Sequence, residues 1–162
     1  KDYDFSFIGL LMSEDKPTNL WKEIHTCWDG ADGYLAQNKA GATVLMGKDK
    51  EGRPGIGPME MLLAGLAGCT GMDIVDILKK KRQLPVDFKV VVRGNQKIDV
   101  YPMVFTEFQV EYLFWGENLG PKEVEQAIRL SEEKYCSVGG TLSKAAPIHS
   151  SYRLLKPGEQ AE

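Results

Sequence analysis

Three cysteines, Cys27, Cys69 and Cys136, are the residues of this chain best suited to redox chemistry. A cysteine acts as its thiolate, whether as nucleophile, metal ligand or one half of a disulfide. Cys69 stands in LAGCTGMDIVDIL, Leu66 to Leu78. The apolar spacing there reads as a helix, yet Gly65, Gly68 and Gly71 interrupt it. Interior glycines cost about 1 kcal/mol each against alanine, so roughly 3 kcal/mol must be offset. Close approach of another backbone across Ala64, Gly65 and Gly68 is the expected offset, from a strand or from the same helix of a second subunit. Two readings of Cys69 stay open at this point. Free cysteine is among the most buried residue types and packs as a small hydrophobe. A reactive Cys69 needs outside help, because it lies roughly 16 Å along the helix from Pro58 and the helix dipole fades within a turn. Asp73, one turn on, would disfavour a thiolate if ionised and facing the sulfur. The preceding loop offers Arg53 as a cation, and Glu60 at the helix start could orient it.

These residues need elements to position them. GKDKEGRPGIGP, Gly47 to Pro58, is a loop, and a loop of this length without periodicity is often functional. Pro58 suits the first turn of a helix, where its missing N–H costs nothing. The helix is expected to run from about Pro58 to Arg82, with Lys79 to Arg82 complementing the dipole and Pro85 ending it. Leu62, Leu66, Cys69, Asp73 and Asp76 share one stripe. Over Met61 to Ile74 almost every side is apolar or small, so the helix is expected to be buried all round. Asp73 and Asp76 read as solvent-facing or capping residues. Before the loop, Lys22 to Trp28, Tyr34 to Lys39 and Ala42 to Met46 read as a β-meander, with WDGADG as its first turn. After the helix, Val86 to Val92 and Val104 to Phe114 read as longer strands. A second helix opens at Gly120-Pro121, with Val124, Ala127, Ile128, Ser131 and Tyr135 on its inner stripe, and Cys136 closes it. CSVGGTL begins a further short helix, and Ile148 to Leu155 is a final strand. Strands in groups with helices between them give an α+β fold.

The chain's 162 residues suit one domain, read as spanning 1–162. Residues 1–20 read as an N-terminal arm or extra strand, with an apolar patch at Phe5, Phe7, Ile8, Leu10 and Leu11 and a charged turn at Ser13 to Pro17. The chain starts at Lys1, which leaves room for residues upstream, a removed leader among them. A net charge of −3 without long charge blocks argues against nucleic acid or an anionic membrane as partner. No apolar run approaches the roughly 20 residues of a membrane span. Three widely spaced cysteines make no disulfide framework, so a reducing, cytoplasmic setting is expected. With His25 and His149 they could form a zinc site on paper, but no C-x-x-C or H-x-x-x-H spacing supports it, and no metal is expected. Cys27, in HTCWD, reads as a packed strand residue, and each histidine as a surface or satisfied polar group. GRPGIG lacks the Lys-Ser/Thr of a phosphate loop.

Two motifs together, GPMEMLLAGLAGCTGMDIVDIL and LSEEKYCSVGGTL, resemble the paired cysteine motifs of the OsmC/Ohr family, the osmotically induced and organic-hydroperoxide-resistance proteins. The order of elements matches over roughly residues 22–155. The resemblance implies an intertwined homodimer with antiparallel sheets wrapped around central cysteine-bearing helices. It implies a thiol-dependent peroxidase without metal, haem or flavin, with Cys69 as the peroxidatic and Cys136 as the resolving cysteine. An external dithiol, such as a lipoyl group, would be the reductant. Family members carry a glutamate directly after the helix-opening proline and an arginine in the first glycine-rich turn. Here Met59 holds the first position and the turn has Ala31 and Asp32, so Glu60 and Arg53 are the candidates for those roles. Two other readings stand beside the enzyme: a non-enzymatic dimer that binds a small apolar ligand at its interface, and a purely structural dimer.

Overall fold

Short turns fold the first strands back on one another. Asp29 accepts hydrogen bonds at Oδ1 from the N–H groups of Ala31 (2.8 Å) and Gly33 (3.2 Å), which closes the WDGADG turn. This joins β1 (Ile24–Trp28) to β2 (Gly33–Asn38), and a turn at Ala40-Gly41 leads to β3 (Thr43–Gly47). All three pair antiparallel in the order β1-β2-β3, with Trp28 opposite Tyr34 and Gly33 opposite Gly47. Gly47 has φ 78°, and a Cβ there would run into the Asp32 carbonyl, so the corner requires glycine. The computed structural model describes residues 20–161, so the arm's apolar patch and its Ser13 to Pro17 turn lie outside the described residues. The meander and its loop belong to a unit ending at Gly55, and a second unit begins at Ile56.

The second unit is built on α1 (Pro58–Lys80). Pro58 opens it as expected, and the Glu60 carboxylate reaches back to accept from the Gly57 N–H at 2.7 Å. It stops at Lys80, with Lys81 as its C-cap and Arg82 in the left-handed region at φ 57°. Leu66, Thr70, Gly71, Ile74 and Leu78 form the buried stripe. Burial all round does not occur within the chain: Leu62 is 41% and Met72 70% exposed, and Ala64, Gly65 and Gly68 are exposed with them. Within this single chain the strand that approaches α1 does so at a different glycine. A Cβ at Gly68 would meet nothing within 4 Å, whereas one at Gly71 would lie 3.5 Å from Val90 Cγ2 and 3.7 Å from Phe88 Cε1. The glycine that faces a strand is therefore Gly71, and it meets side chains. By length and a mean hydropathy of 1.6, α1 could also cross a membrane, contrary to the expectation that no stretch would qualify. Its leucine, isoleucine and valine residues raise the mean; the stripe against the sheet uses part of that apolar surface, and the exposed side at Leu62 and Met72 carries more of it.

That sheet has the order β4-β5-β6, from Asp87–Gln96, Phe105–Trp115 and Ile148–Leu155. β4 and β5 are antiparallel, but β6 lies parallel to β5, so the expected wholly antiparallel sheets are corrected here. The reason is the connection. The chain leaves β5, forms α2 (Pro121–Leu130), a π-helical turn (Ser131–Tyr135) and α3 (Ser137–Leu142), and so returns to the same end of the sheet. Tyr112, Phe108 and Phe114 of β5 are the largest fully buried side chains, with Phe88 of β4 stacked on Phe114 at 4.6 Å between ring centres. Val124, Ala127, Ile128 and Ser131 are buried as expected, but Tyr135 is 48% exposed. The π turn winds wider than an α turn and carries Tyr135 off the inner stripe. The architecture is mixed α+β, with two three-stranded sheets and helices.

Candidate functional site

Two elements of the second unit bring the site together. Cys69 and Asp73 sit one helical turn apart on α1, which stacks their side chains on one face. Cys136 lies where the π turn gives way to α3. Its N–H donates to the Ser131 carbonyl at 2.8 Å, and its backbone then turns extended (φ −70°, ψ 95°) as the N-cap of α3. This turns the thiol toward α1. The Sγ of Cys69, the Sγ of Cys136 and a carboxylate oxygen of Asp73 all lie within 4.8 Å of one another. Neither thiol is in a disulfide. Cys69 is half-buried and Cys136 buried.

Polar neighbours fix these groups. The fully buried Ser131 hydroxyl donates to Asp73 Oδ2 at 3.1 Å, and the Gly139 N–H donates to Cys136 Sγ at 3.2 Å. Asp73 is thus neither a cap nor a free solvent-facing carboxylate, which corrects the sequence reading; Asp76 is exposed, in agreement with it. Burial pushes the Cys136 thiol up to about 12, helped by its bond with Cys69 and by the negative charge of Asp73, while the Gly139 N–H pulls the other way. The charge of Asp73 on the Cys69 sulfur was weighed from the sequence, but its partner was missed because it comes from another element. The Cys69–Asp73 spacing was visible, but nothing in the sequence placed Ser131 beside it.

A cavity of about 210 Å³ adjoins Cys136, lined by Leu66, Thr70, Val110, Tyr112, Glu132 and Ile148 among others. The Tyr112 hydroxyl donates to Glu132 Oε1 at 3.1 Å, and burial together with the Glu132 charge holds that phenol well above its ordinary range. Thr70 turns its hydroxyl back to the carbonyls of Leu66 (3.0 Å) and Ala67 (3.3 Å). The pocket is therefore apolar with a polar end.

The other sequence candidates have different company. Glu60 is engaged with Gly57 at the start of α1. Arg53, in the first unit, donates from Nε to Asp49 Oδ2 at 2.6 Å and from Nη2 to Glu51 Oε2 at 3.2 Å. Cys27 is exposed on β1, so the packed-strand reading fails, because every residue of β1 is exposed. His25 sits 2.7 Å from Glu23, and His149 is exposed.

Known proteins resemble this chain over most of its length. The sequence pattern of OsmC-like proteins matches residues 47–151, which include both cysteines. Protein YhfA of Escherichia coli strain K12 is 35% identical over 122 residues, covering 75% of this chain and 90% of that protein. A crystal structure of a hypothetical protein from Aquifex aeolicus VF5 superposes with a TM-score of 0.75 at 30% identity, covering 88% of this chain and all of that one. The organic hydroperoxide resistance protein OhrB of Bacillus subtilis shares the fold at a TM-score of 0.56 and 13% identity, over 83% of this chain and 98% of its own.

Proposed function

The chain belongs to the OsmC-like family, and on that premise we propose that it is a two-cysteine thiol peroxidase acting on organic hydroperoxides or hydrogen peroxide. One observation carries the reading: Cys69 and Cys136, 67 positions apart in sequence (136 − 69), have their sulfurs within 4.8 Å of each other. Cys69 is the more exposed of the two and meets the peroxide. Its thiolate attacks one peroxide oxygen, the O–O bond breaks, and the products are Cys69 sulfenic acid and, after protonation, an alcohol or water. Cys136 then attacks the Cys69 sulfur; the S–O bond breaks, a disulfide forms, and the leaving hydroxide takes a proton as water. A thiol held as high as about 12 must shed its proton as that bond forms, and Asp73, within 4.8 Å of both sulfurs, is a group able to relay it. An external dithiol, of which a lipoyl group is one type, restores both thiols by exchange.

The exposed face of α1, with Leu62, Gly68 and Met72, is assigned to a second copy of the chain in an intertwined homodimer. A second reading, a binder of small apolar ligands, draws on the cavity beside Cys136.

The test is turnover of cumene hydroperoxide with a dithiol, using wild type, Cys69→Ser and Cys136→Ser. The expected result is activity in wild type alone, with loss of two hydrogens linking Cys69 to Cys136 after one equivalent of peroxide. A wild type no faster than Cys69→Ser refutes the peroxidase reading and leaves the ligand binder.

A further inference from the structure

The same cluster has a second chemistry that needs no peroxide. Two thiol sulfurs and a carboxylate oxygen, from two separate elements, converge within 4.8 Å. Two cysteines and a carboxylate are a donor set that suits zinc, which takes sulfur at about 2.3 Å and carboxylate oxygen at about 2.0–2.2 Å. Around a tetrahedral ion those bond lengths put neighbouring donors roughly 3.5–3.8 Å apart. The widest separation here exceeds that by only about 1 Å, which side-chain rotation on α1 and at the α3 junction can close. We propose that Cys69, Asp73 and Cys136 form a three-ligand site for a zinc-type divalent cation, with a fourth coordination position left to solvent.

The surrounding hydrogen bonds suit that role. The Ser131 hydroxyl holds Asp73 Oδ2, which orients the carboxylate. The Gly139 N–H donates to Cys136 Sγ, a contact that favours sulfur in its anionic form. Outer partners of this kind fix the direction of metal ligands and raise their affinity. Cys69 and Asp73 come from one rigid helix at a one-turn spacing, the spacing that also aligns paired ligands in helical metal motifs. The sequence offered no such signal, because the third ligand arrives from within the β5–β6 crossover, 67 positions after Cys69 (136 − 69). Binding requires both thiols reduced, so cation occupancy and a Cys69–Cys136 disulfide exclude each other.

The experiment uses the reduced, chelator-treated full chain. Zn²⁺ is titrated in competition with a chromophoric chelator, and Co²⁺ serves as the spectroscopic probe. One Zn²⁺ per chain and a near-ultraviolet thiolate-to-Co²⁺ charge-transfer band are expected. Cys136→Ser and wild type with its thiols alkylated should each lose about 100-fold or more in affinity, and Asp73→Asn about 10-fold or more. Cys27→Ser should bind as wild type does, and circular dichroism checks that each variant keeps its fold. Binding by Asp73→Asn as tight as wild type overturns the site, as does binding that survives alkylation or is lost in Cys27→Ser. Peroxide turnover is not measured here, so failure of this site and failure of the peroxidase reading are separate results.

Discussion

Raising the pH should destabilise this protein through one identifiable group. The Cys136 thiol ionises near its ordinary value of 9.0 in the unfolded chain and at about 12 in the folded one. Between those values the unfolded state has released a proton that the folded state retains, so stability falls as pH rises through the window. Full expression of the difference removes about 1.4 kcal/mol per pH unit, which integrates to ~2 kcal/mol between about pH 8 and 10.5. The control is Cys136→Ala, which has no such proton. Tyr112, also held above its ordinary range, chiefly by burial and Glu132, contributes loss of the same sign to both proteins and largely cancels, since Cys136 is the last of its causes. Urea unfolding of the reduced, metal-free proteins across this range measures the effect. With an m value of about 1–3 kcal/mol/M, the wild-type midpoint should fall by roughly 1 M more than that of Cys136→Ala. Parallel decline of the two would refute the argument, because it would mean that burial and Asp73 do not hold the thiol neutral.

Two further substitutions separate structure from chemistry. Glu60→Ala should cost about 0.5–2 kcal/mol by stranding the Gly57 N–H, while Glu60→Gln keeps an acceptor there and should retain most of that stability in thermal unfolding. Gly94→Ala would bring a Cβ to 2.5 Å from Phe105 Cε1 and 3.0 Å from Leu63 Cδ2; the ring must shift within a packed core, at a cost of about 1–3 kcal/mol visible as a lower midpoint in urea.

Punctuation residues made the elements legible. Pro58 and Pro121 mark helix starts where α1 and α2 begin, and the apolar run at Ile148 to Leu155 coincides with β6. Strand direction was not legible, since side-chain alternation reports a strand without its partner's orientation, and the parallel pairing of β6 follows from the crossover. Helix burial was half legible. The apolar surface of α1 was plain, but only three-dimensional packing divides it into the stripe at Leu66 and Ile74 and the exposed side at Leu62 and Met72. The position of Tyr135 was missed because a 3.6-residue period cannot anticipate a π turn. At the site, the union of Cys69 with Cys136 was read from a family resemblance and Asp73 from its one-turn spacing, whereas the Ser131 that holds Asp73 became visible only in three dimensions.

The crossover between β5 and β6 also sets an order of events during synthesis. Cys69 leaves the ribosome long before Cys136, and Cys136 is positioned by a turn and helix anchored ahead of β6. Parallel pairing of β6 with β5 needs the chain through Leu155, and such long-range closure comes late in folding. A nascent chain that stalls before that point carries Cys69 on a helix without Cys136 in place to close the disulfide. A chance oxidation there would end in a disulfide with some other thiol, the exposed Cys27 of the same chain or one outside it, so completing the final strand protects the cysteine made many residues earlier.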